Sequence, residues 1–464
     1  MTWHRDWNKK IEKWQRDAAE VVHLSWPIVL SMLSYTAMDL ADTIFVGWLG
    51  VAELAAVGLA TTVFFIINGF FLGTFQGVTV VTSQAKGADK KRRAVDSAFA
   101  GLLLAIPCAL VVLALIPFEA GLFRILGGES HVRSMAGDYF RIRALGAGLW
   151  FAMLVICNHY QGMGDTRTPM ILNIVAHTVN VVLDPLLIFG LGPFPQMGIE
   201  GAALATIIAQ FVGMAAAMVH FFRGRLSSGV LRLWARSRRA LQEVAPAVLR
   251  LGLPMGIHSA VGVLAWGVFT AVLARMGTME LAAHQIALKV IAVSFLPGHG
   301  VARAACILAG QRVGARRDDA VRHTLVASLS VALSFMGLMA LGFVLFHDAI
   351  TAVFTSDVAT ADLAGQLLLV AALFQLTDAV AMVTSQVLKG TGDTRFTMFA
   401  GITTAWTILL PCAYLFGVVL DGGAVGAWLA LVVEIFVLSV ILLLRFRSGA
   451  WKKAARRERE DMPA

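Results

Sequence analysis

Charged residues are scarce in this chain. Lys, Arg, Asp and Glu make up 14% of its 464 residues, while 58% are hydrophobic. A soluble domain averages about 25% charged residues, so a water-soluble fold is excluded: no core could hide this much apolar chain. Cysteine is scarce too. Cys108, Cys157, Cys306 and Cys412 sit in apolar runs at unrelated spacings, which offers neither a disulfide framework nor a metal-binding pattern. The Walker phosphate loop, HExxH and paired-Asp motifs are all missing. That argues against an ATP-driven pump and against a polytopic membrane enzyme, and no cofactor is expected. Alternating β-barrel segments are absent as well.

Long hydrophobic runs are what the chain has in quantity. A bilayer core of roughly 30 Å takes about 20 helical residues per crossing. Within it, backbone polar groups must be satisfied inside the segment, so helices are the expected element. About twelve spans are predicted, near 20–46, 54–84, 94–118, 138–160, 168–190, 198–222, 247–274, 280–309, 320–347, 363–388, 396–418 and 424–446. The expected class is an all-α polytopic membrane protein.

Basic residues set the orientation, because loops left in the cytoplasm carry an excess of Lys and Arg. Lys86, Lys90, Lys91, Arg92 and Arg93 follow span 2, and Arg223, Arg225, Arg232, Arg236, Arg238 and Arg239 follow span 6. Arg312, Arg316, Arg317 and Arg322 follow span 8, and seven more basic residues lie between Arg445 and Arg459. Arg124, Arg133 and Arg275 are the exceptions. Both termini are therefore expected in the cytoplasm, with the chain multi-pass in the plasma (inner) membrane. This bias accounts for the formal net charge of +9, so no nucleic-acid partner is needed. No cleavable signal peptide is expected. Instead Trp3, Trp7, Ile11 and Trp14 recur at helical spacing around Lys9, Lys10 and Lys13, the pattern of a short interfacial helix.

The chain repeats itself. "LSWPIVL" aligns with "LGLPMGI", placing Pro27 on Pro254. "SQAKGADKK" aligns with "GQRVGARRD", placing Gln84 on Gln311 and Gly87 on Gly314, all 227 residues on. "QGMGDTRT" aligns with "LKGTGDTR", placing Asp165 on Asp393, 228 residues on. Shared Gln, Gly and Asp-Thr-Arg at one offset mark a duplication. Each half holds six spans, an even number, so both halves enter from the same side as a parallel repeat. The expected organisation is an amphipathic cytoplasmic segment (1–17), an N-lobe (18–222), a basic linker (223–245), a C-lobe (246–446) and a basic tail (447–464). The twice-written GxGDTR reads as a turn and helix cap, and the whole as two pseudo-symmetric six-helix bundles working by alternating access.

Some charges fall inside the spans. A mid-helix Asp costs roughly 2.5–3.5 kcal/mol on insertion scales, so such residues usually face a cavity and carry function. "MDLADTIFVG" puts Asp39 and Asp42 on one face of span 1. Asn173, His177, Asn180 and Asp184 form one stripe on span 5, and Thr206 and Gln210 lie one turn apart on span 6. The second half carries Trp266, Phe269 and Pro411 where Asp39, Asp42 and Asp184 would be. Carboxylates gathered in one lobe suit a small cation, either a proton or sodium. Helix-to-helix glue is the plainer alternative. Asp378, Glu434, Lys289, His299 and Arg303 are the charges of the second half. Asp378 is a possible substrate contact or partner of Arg303, and Glu434 either faces a polar seam or snorkels.

The chain resembles the multidrug and toxin extrusion (MATE) family. The resemblance rests on "DTIFVGWLG", "SQAKGA", "QGMGDTRTPM", "NVVLDPLLIFG", "GAALAT", "ELAAHQIAL" and "LKGTGDTR", in that order along essentially the whole chain. It implies a V-shaped twelve-helix antiporter, monomeric in membrane lipid, that exports organic cations in exchange for protons or sodium. By motif match it puts the cation-coupling role on Asp42, Asn180, Asp184 and Thr206, with Tyr139 an accessory. Asp39 departs from the family pattern, and span 7 lacks the acid that members with a C-lobe site carry. A lipid-linked oligosaccharide flippase of the same superfamily is the rival expectation; it would call for a basic cavity.

Overall fold

The computed structural model describes residues 2–223 and 236–461, with side chains from residue 12 onward. Most of the basic linker therefore lies outside the described residues. Among those described, every regular element is helical. The first repeat comprises α1 (Thr2–Gly47), α2 (Val51–Gly87), α3 (Lys91–Leu113), α4 (Glu119–Leu126), α5 (Ser130–Leu145), α6 (Ala147–Gly162), α7 (Arg167–Phe189) and α8 (Gly198–Phe222). The second comprises α9 (Ala245–Met276), α10 (Thr278–Gly314), α11 (Asp318–Thr351), α12 (Val358–Gly390), α13 (Thr394–Thr404), α14 (Leu410–Tyr414), α15 (Gly423–Arg447) and α16 (Trp451–Glu460).

Eleven of the described helices are long and apolar enough to cross a membrane. The pair α5–α6, bent by 48° at its junction, makes a twelfth. The twelve-span expectation holds, with span 4 broken at Gly146. Span 11 is irregular in another way. Two π-helical turns, Ala405–Leu409 and Leu415–Val419, flank α14 and its Pro411.

One boundary differs from expectation. The amphipathic start is not a separate short helix; it runs unbroken into span 1, because nothing between Trp14 and Leu24 breaks a helix. Nor does this stretch stand free. Trp14 Nε1 donates to Ser330 Oγ at 3.3 Å, and Arg312 lies 2.6 Å from Glu20 and 3.9 Å from Asp17. The side chains of Trp3, Trp7 and Ile11 fall outside the described ones.

Contacts divide the chain into two compact units. One holds residues 1–29, 83–89 and 257–464; the other holds residues 30–82 and 90–256. In the first unit, α2 and α10 cross at paired glycines. A Cβ on Gly87 would collide with the Gln311 carbonyl, and a Cβ on Gly314 with the Gln84 carbonyl. These are the residues that the repeat superposes, so the crossing is self-complementary. Gln84 Nε2 adds a hydrogen bond of 3.1 Å to the Gly390 carbonyl. The second unit has its own close crossing, of α2 on α9, through Gly73, Gly77, Gly252 and Gly256. Small residues let helix backbones approach where lipid supplies no hydrophobic drive.

The duplicated GxGDTR does two different jobs. Asp165 Oδ1 accepts from the N–H groups of Arg167 (3.1 Å) and Thr168 (3.0 Å), and Oδ2 accepts from the Thr168 hydroxyl (2.6 Å). That is the expected cap of α7. Asp393 instead receives the Arg445 guanidinium at 2.8 and 3.3 Å, with Arg445 stacked 4.5 Å from the Phe396 ring. Arg445 is 29% exposed and Asp393 8%, so a neutral Asp393 leaves a half-desolvated cation behind. Asp393→Asn is expected to cost about 2 kcal/mol and Asp165→Ala about 1 kcal/mol. Thermal unfolding in detergent would read the difference; equal effects would refute it.

Candidate functional site

The acids predicted for the first repeat meet in the second contact unit. Asp184 and Asn180, one turn apart on α7, are fully buried, and Thr206 on α8 is 7% exposed. Asn180 Nδ2 donates to Asp184 Oδ1 at 3.3 Å and to Thr206 Oγ1 at 3.5 Å. Thr206 is oriented to receive that bond because its own hydroxyl donates to the Ala202 carbonyl at 3.0 Å. Asp42 on α1 joins the cluster within electrostatic range of Asp184.

Two carboxyl groups that share a buried setting disfavour each other's ionisation, because like charges repel. The cluster is also short of donors. Asp42 Oδ1, Asp184 Oδ2 and Asn180 Oδ1 are buried and receive no hydrogen bond from any described residue. Orphaned buried acceptors are costly and call for an explanation. Three of them lie on side chains of one cluster, which leaves it rich in acceptors and short of donors. Pro185 follows directly, removing the N–H that would have reached the Val181 carbonyl and loosening α7 beside the cluster.

The remaining predicted residues separate. Tyr139 on α5 is buried, within electrostatic range of Asp42 and Asp184. Asp39 is exposed and outside the hydrogen-bonded set, though close enough to act on the Asp42 charge. The upper stripe of α7 serves a different purpose: His177 bonds Ser34 Oγ at 2.8 Å and packs edge-on to Tyr35, and Asn173 Nδ2 donates to Ser31 Oγ at 2.8 Å. These pairs fasten α7 to α1 and are the glue alternative realised. Gln210 lies against Gly146, where α5 and α6 bend, with its Oε1 buried and undonated.

In the other unit, Asp378 lies within electrostatic range of Glu434. Its Oδ2 is buried without a donor. Glu434 is buried and accepts from Thr404 Oγ1 at 2.6 Å, so it faces a polar seam. His284 is a core histidine, held between Trp428 Nε1 and Thr270 Oγ1 at 3.2 Å each.

Arg143 is a residue that the sequence reading passed over. It lies on α5 one turn beyond Tyr139, its guanidinium 5.4 Å from the Phe64 ring centroid. Its charge acts on Tyr35, Asp42, Tyr139 and Asp184. In sequence it looks like one more basic residue near a span end. The available signal was that the second repeat has Val370 and Ala371 at the matching positions.

A duplicated bundle of membrane-length helices, with buried acid, amide and hydroxyl groups gathered inside one repeat, is the build of a polytopic transporter. The family comparison agrees. The MatE profile matches residues 27–186 and 254–415, once in each repeat, and the chain belongs to that family. A multidrug resistance protein NorM of Burkholderia vietnamiensis is 30% identical over 452 residues, covering 93% of this chain and 94% of its own. A probable multidrug resistance protein NorM of Thermotoga maritima is 29% identical over 449 residues, covering 95% and 94%. Among solved structures, a MATE protein in a bent conformation superposes with a TM-score of 0.85 at 25% identity, covering 96% of this chain and 99% of that one.

Proposed function

We propose that this protein is a secondary antiporter that exports cationic or amphipathic drugs by alternating access, driven by a cation bound at Asp42, Asn180, Asp184 and Thr206. The observation that carries this reading is the buried trio of undonated oxygens on Asp42, Asp184 and Asn180. A proton shared between the carboxyls, or a sodium ion among the oxygens, cancels one of the two negative charges and lets α1 and α7 stay together. Losing the cation leaves two like charges acting on each other in one cluster, which favours a different arrangement of α1 against α7. The NorM relatives' multidrug resistance names support drug export, and structural neighbours in a bent and in a straight conformation support a fold that takes up more than one arrangement. The loop-charge bias supports an inner-membrane protein with both termini on the cytoplasmic side. Substrates are organic cations taken up with membrane lipid as the surroundings, and the working unit is a monomer.

The test is efflux of a fluorescent organic cation from vesicles carrying the protein, driven separately by a proton gradient and by a sodium gradient. One gradient is expected to drive efflux at least tenfold above vesicles without protein. Equal efflux with neither gradient imposed would sink the antiport reading.

A further inference from the structure

The last helix, α16, is sorted by charge around its axis. Trp451, Ala455 and Glu458 fall on one face and are buried. Lys452, Lys453, Arg456 and Arg457 fall on the opposite face and are exposed. The buried face is firmly held. Trp451 stacks on Phe446 with ring centroids 5.6 Å apart, and its Nε1 donates to the Phe446 carbonyl at 3.2 Å. Arg459 Nε donates to the Val313 carbonyl at 3.0 Å, and its guanidinium pairs with Asp318. Those two partners bracket the α10–α11 turn, which carries Arg316 and Arg317, both exposed.

The exposed face carries one sign of charge. Lys452 with Arg456, and Lys453 with Arg457, are like-charge pairs four residues apart, an arrangement that destabilises a helix on its own. None of the four forms an ion pair with a described residue. The exposed acids, Glu460 and Asp461, lie beyond them at the far end. A face that merely meets water interleaves both signs. Membrane topology asks only for a number of basic residues near the end of a span; it does not ask that they share a face.

Position identifies the partner. Only Ser448, Gly449 and Ala450 separate α16 from α15, a helix of membrane-crossing length. Three residues reach about 10 Å at most. Gly449, with φ of +70°, turns the chain, and the Phe446–Trp451 stack ties the two helices together across the turn. So α16 is held where a span ends, at the level of the lipid headgroups.

We propose that the basic face of α16, together with Arg316 and Arg317 on the turn that α16 grips, is a docking surface for anionic phospholipid headgroups of the cytoplasmic leaflet. Basic clusters directly cytoplasmic of a membrane helix collect such lipids, each charge contributing about fivefold to affinity. The partner is a phosphodiester presented by a bilayer, because several adjacent charges need several anions held side by side. The proposal leans on the orientation read from loop charge and is independent of the coupling cluster.

The test is thermal unfolding of the full-length protein in a neutral detergent, to which phosphatidylglycerol or phosphatidylcholine is added as mixed micelles. Phosphatidylglycerol is expected to raise Tm at a mole fraction about tenfold below that needed of phosphatidylcholine, and added salt should close most of the gap. Arg456→Gln/Arg457→Gln is expected to raise the phosphatidylglycerol fraction at half effect about tenfold. Its lipid-free Tm should not change, because both side chains are exposed and Gln is a comparable helix former. Arg456→Lys/Arg457→Lys, which keeps the charges, should stay within about twofold of the native protein. So should Lys91→Gln/Arg92→Gln, a matched pair of exposed charges after span 2. Equal potency of the two lipids overturns the proposal. So does an equal loss in the Lys91/Arg92 variant, which would spread the effect over all the basic loops. Inorganic phosphate that stabilises as well as phosphatidylglycerol would assign the face to a free anion, and polyglutamate that displaces the lipid at matched charge would assign it to an acidic protein; either result overturns the proposal. A shift in the Lys variant as large as in the Gln variant would make guanidinium shape the cause in place of charge, and refutes it too.

Discussion

Asp42→Asn is expected to reduce gradient-driven efflux to the level of vesicles without protein, while the protein folds normally. An amide keeps the size and hydrogen-bonding capacity of the carboxyl but cannot take up and release a proton, and it offers sodium no charge. The variant also removes the like charge that acts on Asp184, and it adds an N–H donor to a cluster in which Asp184 Oδ2 lacks one. Thermal stability should therefore equal or exceed that of the native protein, because neutralising one member of a buried like-charge pair removes a desolvation cost. Loss of transport with unchanged or raised Tm is the signature of a coupling residue. Loss of both would place Asp42 in the scaffold instead. Asp39→Asn is the natural comparison: its carboxyl is exposed and outside the hydrogen-bonded cluster, so efflux should fall by less than about threefold. Full activity in Asp42→Asn would remove the physical basis for an N-lobe coupling site.

Gly314→Val is expected to be the most damaging substitution distant from that site. The new side chain would meet the backbone carbonyl of Gln84, and backbone cannot swing aside as a flexible side chain can. Overpacking typically costs about 1–3 kcal/mol; with no side chain able to yield, the cost should sit at the upper end, about 3 kcal/mol. Gly87→Val should match it, since the repeat places Gly87 against Gln311 in the same way. Both variants should lose several degrees of Tm and most of their transport. Gly342→Ala supplies the control. Gly342 lies within α11 with nothing within 4 Å of its would-be Cβ. Alanine there should be neutral or stabilising by up to about 1 kcal/mol through helix propensity alone. If Gly314→Val and Gly342→Ala behaved alike, the crossing would carry no energetic weight.

Much of this protein is legible in the sequence because lipid is an uncompromising solvent. Asp42, Asn180, Asp184 and Thr206 stand out because a polar side chain in hydrocarbon needs a reason, and the structure brings all four together. Other residues misled, or stayed silent, where their partner lay far away in sequence. His177 and Asn173 share the α7 stripe with Asn180 and Asp184, yet they bond Ser34 and Ser31. Helical periodicity shows which residues share a face and not what lies opposite at each level. Asp165 and Asp393 have the same local spelling, but Arg445, 52 residues downstream of Asp393, changes what the second one does. Arg143 was hidden by the basic residues that crowd span ends for topological reasons.

Composition and periodicity alone decided that the chain lives in a membrane, that it crosses about twelve times and that it is written twice. Each of those properties depends on how single residues or single helices partition between water and lipid, and partitioning is local. Only the tertiary structure decided which polar groups bond one another, which glycines bring backbones into contact and which arginine packs over the Phe64 ring. Those facts depend on side chains from α1, α5, α7 and α8 meeting within a few ångströms, and a linear pattern holds no information about distance between helices.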